Sequence, residues 1–135
     1  MTAKNLLLDL ANFFINNTSV VTADGTDIFR DNLPDSPDNC VGLLEFEGIP
    51  SFTSDVSNRS VQVTVRNTDY ETARSNIWTL YNCIYKPESD VRIVNLTSSR
   101  WAIITARGNP RFLRRDESYR SIFLFILSIV TYRDE

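Results

Sequence analysis

Residues 122–130 read IFLFILSIV, an almost unbroken apolar run inside the longer segment YRSIFLFILSIVTYR (119–133). In an extended strand, successive side chains point to opposite faces. Here both alternating sets are apolar, so neither face can be left to water. Such a strand belongs in the middle of a sheet that is covered on both sides. Nine residues are too few for a membrane-spanning helix, which needs roughly 20. The fold must therefore supply neighbours for this segment from the rest of the chain.

The supply is visible upstream. SVQVTVRN (60–67) alternates, with Val61, Val63 and Val65 on one side and Gln62, Thr64 and Arg66 on the other, the pattern of a half-buried strand. NCVGLLEFEG (39–48) reads as a strand ended by Gly48 and Pro50, and IFRDNLP before it as a short extended segment. VRIVNL (91–96), RWAIITAR (100–107) and RFLR (111–114) add three more, with RGNP (107–110) as a turn. TADGTD (22–27) is a turn in which Asp-Gly supplies a left-handed position. The Ser-rich PSFTSDVSNRS (50–60) has little to bury and reads as a mobile loop.

Two segments carry helical periodicity. Over 4–15, Asn5, Asp9, Asn12 and Asn16 form one narrow polar stripe, so the helix is buried over most of its circumference. The second begins at a Thr68/Glu71 capping box, presents Tyr70, Ala73, Ile77, Leu80, Tyr81 and Ile84 as its core stripe, and is stopped by Pro87. Helix, strands, helix, strands describes an α+β domain: a mostly antiparallel, mixed sheet with two main helices on one face. The 135 residues fit one domain, 1–135, with no repeat or linker suggesting a second. No secretory leader is expected, since Asp9 and Asn12 interrupt the apolar N-terminal stretch.

Composition removes several chemistries. Histidine is absent, and with it the commonest general base and zinc ligand. Cys40 and Cys83 have no metal-ligand spacing and read as buried reduced thiols, suited to a reducing cytosol. The four glycines form no phosphate-cradling loop, and Asp24, Asp27 and Asp31 do not match a calcium loop. In LPDSPDNCVGLLEFEG (33–48), Asp35, Asp38, Glu45 and Glu47 resemble the carboxylates of a metal-dependent nuclease. The lysine such a site uses is replaced by Glu47, and the Pro-Asp pairs read better as turn residues beside an acidic surface. No catalytic residue, metal or cofactor is implied, and no enzyme is expected.

Charge is the feature with functional weight. Residues 1–60 hold nine acidic side chains against three basic ones; residues 61–135 hold eight against eleven, in a chain of net charge −3. Arg107, Arg111, Arg114, Arg115 and Arg120 fall within fourteen residues, with Phe112 and Tyr119 interleaved. Arginine suits bidentate contact with carboxylate or phosphate. The net negative charge favours contact with a neighbouring subunit's acidic half over DNA phosphates.

NLPDSPDNCVGLLEFEG and RSVQVTVRNTDYETARSNIWTLYN (59–82) resemble the small minor capsid or tail-terminator proteins of long-tailed bacteriophages. In these a proline-rich Asp turn, here Leu33 to Asn39, leads into a strand ending at Glu47 and Gly48. A Val-x-Val-x-Val-Arg strand, Val61 to Arg66, then enters a helix through Asp69, Tyr70 and Ala73. The resemblance spans most of the chain. It implies a structural virion assembly protein that caps the tail tube, stops its polymerisation and joins tail to head connector as a homo-oligomeric, typically hexameric ring. The implied partners are further copies of itself, the tail tube protein and the head connector or neck protein, with DNA passing through the channel and no membrane. Assembly is expected in the host cytoplasm, with the product in the tail or neck of the virion. A head-completion (neck) protein and the nuclease reading are the alternatives.

Overall fold

The protein is described by a computed structural model covering residues 5–30, 33–46, 56–85, 92–97 and 100–132. Its elements are α1 (Leu6–Asn17), β1 (Ile28–Arg30), β2 (Cys40–Phe46), β3 (Val56–Asn67), α2 (Tyr70–Ile84), β4 (Arg92–Thr97), β5 (Arg100–Ala106), β6 (Arg111–Arg115) and β7 (Ser121–Tyr132). The strands form one seven-stranded sheet in the order β1-β2-β3-β7-β5-β4, with β6 also paired to β7. Only β1–β2 is parallel, so the fold is α+β with a mixed, mostly antiparallel sheet. None of its helices, among the described residues, is long and apolar enough to cross a membrane.

β7 is the centre, as its two apolar faces require. It pairs with β3 along its whole length, Ser121 opposite Asn67 through Tyr132 opposite Val56. On its other side β5 and β6 lie end to end, at Leu127–Thr131 and Ser121–Leu124. Phe123, Phe125, Leu127 and Ile129 face the helices and share one core with Val61, Val63 and Val65. The helices complete that core with Leu6, Leu10 and Phe14 of α1 and Ala73, Ile77, Leu80 and Ile84 of α2. α2 packs on β3 and β7, while α1 touches β4 at one end of the strand order and β1 and β2 at the other. The sheet is curled around α1. Arg100 of β5, fully buried, fixes this closure by an ion pair with Asp9 of α1.

Three expectations are corrected. Residues 56–60 are not loop: they are the first half of β3, pairing with Ser128–Tyr132, and the remaining residues 50–55 lie outside the described residues. Polar side chains did not prevent this, because a central strand must satisfy its backbone groups on both sides along its full length. The cap of α2 is Asp69 instead of Thr68; its carboxylate accepts the Thr72 backbone N–H at 3.0 Å and the Thr72 hydroxyl at 2.6 Å. Cys83 is only half-buried, whereas Cys40 is buried as expected. Thr64 and Arg66 are also buried, so the outer face of β3 is covered near its C-terminal end. What covers it is the segment that precedes β2.

Candidate functional site

Leu33–Asn39 crosses the outer face of the sheet as a strap. A Cβ placed on Gly42 of β2 would meet the Leu33 side chain at 3.0 Å, so a larger residue there would have to push that side chain outward by a few tenths of an ångström. Two arginines from the sheet hold it. Arg66 of β3 donates to the carbonyls of Pro37 at 2.6 Å and Asp38 at 3.1 Å. Arg120, just before β7, donates to the Asp35 carbonyl at 2.7 Å and to the Asp38 carboxylate at 3.2 Å. Its Nε donates to Asp116 at 2.8 Å, which anchors the guanidinium to its own hairpin turn. At the strap's end, the Asn39 side-chain oxygen accepts the Thr68 N–H at 3.0 Å, tying it to the start of α2.

Asp116 organises that turn by accepting the backbone N–H groups of Ser118 and Arg120 at 3.0 and 2.9 Å. Loss of hydration works to raise its pKa. The hydrogen bonds from Arg120 and Ser118, and the Arg120 charge, outweigh that and hold the pKa below the ordinary carboxylate value. Asp27 is likewise lowered: desolvation is outweighed by hydrogen bonds from Thr22 and Ala23 in the Asp24–Asp27 turn. A carboxylate depressed in the folded state stabilises it fully above the unfolded pKa of about 4, and that contribution is lost as pH falls through the folded value. Thermal unfolding followed from pH 7 to 2 should therefore show stability falling below about pH 4. Asp116→Asn should melt lower at neutral pH and decline less steeply in acid. An unchanged acid slope would remove Asp116 from this account.

β6 presents the remaining arginines differently. Phe112 packs inward, its ring 5.4 Å from Tyr70 and 5.3 Å from Phe123. Arg111 and Arg114 are in register with Leu124 and Ile122, on the sheet's outer face, with a bulge at Leu113 between them. All five β6 residues are exposed, and among the described residues β6 pairs with β7 alone. Arg111, Arg114 and Arg115 make no ion pair among the described residues. A family model for the bacteriophage tail terminator protein matches residues 16–133. The chain belongs to the tail terminator family. No curated protein matches it.

Seen as a tail terminator, the chain divides its candidate residues into two groups. Asp35, Asp38 and Arg120 are brought together, at the strap. Arg107, Arg111, Arg114 and Arg115 stay exposed, although Arg107 donates to the Ser128 hydroxyl at 2.7 Å. Of the four carboxylates expected to form an acidic surface, Asp35 and Asp38 lie in the strap and Glu45 lies on β2. Glu45 of β2 pairs with Arg59 of β3 at 3.2 Å, and Glu47 lies outside the described residues. No three histidines, cysteines or carboxylates among the described residues are close enough to hold a metal. Arg66 was not among the candidates. Its signal was an arginine on the alternating face of a valine strand, visible only once the strap is known to cover that face.

Proposed function

We propose that this terminator closes the finished end of the phage tail tube. Bound there as a ring of copies, it stops tube polymerisation and offers the surface on which the head connector docks. Membership of the tail terminator family over residues 16–133 carries this reading. The charge layout supports the ring. The acidic N-terminal half builds the β1–β2 end of the sheet, while Arg111, Arg114 and Arg115 stand on a strand four positions from β1, across β2, β3 and β7. Subunit contact is the role assigned to these exposed arginines, with Arg120 committed to its own strap.

Electron microscopy of the protein mixed with isolated tail tubes tests this. Rings seated at one end of each tube, and no further growth when tube subunits are added, are the expected result. A chain that never engages tubes would overturn the reading. Arg114→Glu with Arg115→Glu should abolish both ring and joining; intact capping by that variant would remove the arginines from the contact.

A further inference from the structure

One place in the sheet holds no strand. β5 and β6 share the second side of β7 end to end. β4 lies beside β5, with Arg92 opposite Ile104. Among the described residues no strand pairs with the other edge of β6, so the place beyond β4 stays empty. An open strand edge carries backbone N–H and C=O groups without partners in the sheet, and an added extended segment satisfies them.

The side chains around this edge are of two kinds. Of the six exposed large apolar side chains among the described residues, three belong to β6 and the turn after it: Phe112, Leu113 and Tyr119. Phe112 packs on the helix side against Tyr70 and Phe123, yet it is 42% exposed. The opposite face carries Arg107 and Arg111. Arg111 is in register with Leu124, and the Arg107 N–H donates to the Ile126 carbonyl. The two arginines are therefore two strand positions apart, about 7 Å. Both are exposed and neither makes an ion pair among the described residues. Arginines and a bulge keep an edge from pairing with its like, since β6 against β6 would set guanidinium beside guanidinium. They leave it open to acids. A strand with carboxylates at alternate positions sets one beside each arginine, and the next residue turns to the other face, onto Phe112.

We infer that the open edge of β6 takes up an extended acidic segment of a partner protein as an added strand. Its carboxylates meet Arg107 and Arg111, and an apolar side chain covers the exposed part of Phe112. Backbone bonds to the edge supply affinity, and the alternating side chains supply specificity. This contact goes beyond the ring and the cap. Arg114 and Arg115, at the far end of β6, are left to the subunit contact.

Amide hydrogen exchange of the full chain tests it, with a synthetic peptide of alternating glutamate and valine as the probe. In the free chain the β6 amides that face the open edge should exchange fast. With peptide at roughly ten times its dissociation constant, their exchange should slow roughly tenfold. The same peptide with lysine for glutamate should leave them fast. Arg107→Glu with Arg111→Glu should exchange this preference, so that the lysine peptide now protects the edge. Circular dichroism checks that the variant folds; if it does not, the two peptides on the wild-type chain still decide. Equal slowing by both peptides, or slowing by neither, would overturn the inference. So would edge amides already slow in the free chain, or slowed by association of copies alone, because the edge would then be filled by this chain itself. The probe needs no tube, so failure here leaves the capping role standing. A chain that takes up the acidic peptide but never engages tubes would keep this contact and lose that role.

Discussion

Arg100→Met should lower the free energy of unfolding by about 3 kcal/mol, the lower part of the range for breaking one side of a buried ion pair. The side chain has no exposed area. Besides pairing with Asp9, it donates to the Thr131 hydroxyl at 3.1 Å and its guanidinium carbon lies 4.6 Å from the centre of the Tyr132 ring. Methionine fills much of the volume but leaves the Asp9 carboxylate without its cation. That carboxylate is 21% exposed, so it can draw some water, which is why the lower end of the range applies. Adding Asp9→Leu removes the stranded charge, and the double variant should recover much of the loss. Urea unfolding midpoints of the three proteins decide the matter. A single-variant loss under about 1 kcal/mol would mean that α1 is held by its apolar face alone.

Phe125→Ala should cost about as much or more, ~3–5 kcal/mol. Phe125 is 1% exposed, paired in register with Val63, and meets Tyr81 of α2 edge-to-face at a centroid distance of 5.4 Å. Its removal opens a cavity where β3, β7 and α2 meet, and neither strand can close inward without breaking register. Ile126, the next residue on β7, faces outward and is only half-buried, so Ile126→Ala should cost about 1 kcal/mol. A domain has typically only 5–15 kcal/mol to lose. The Phe125 variant should therefore unfold measurably at moderate temperature, and the Ile126 variant should not. Equal losses at the two positions would contradict the assignment of inner and outer faces.

The central place of β7 was legible from its apolar run alone, and the core stripe of α2 from its spacing. Both are local patterns, and burial follows local patterns closely. The strap was not legible. Two Pro-Asp pairs announce a turn, but the groups that hold them, Arg66 and Arg120, lie 28 and 82 residues from Asp38. Local spacing carries no information about such a meeting. The first half of β3 was missed for a related reason. Ser57 and Asn58 have poor strand propensity, and only the length of β7 determines that they pair. The five clustered arginines looked equivalent as a string. One turns inward to the strap, three lie on an exposed edge, and Arg107 meets a serine of β7, a division made by strand register.

The strand order also sets when this protein can fold. β7 holds the sheet together, yet every other element precedes it along the chain. A ribosome extending the chain at about 5–20 residues per second finishes β3 several seconds before it finishes β7. Throughout that interval the valines of β3 have no partner strand on their open side. The whole sheet therefore cannot assemble until β7 has been made. A nascent chain stalled before residue 121 would display an apolar strand edge to chaperones and to other nascent chains.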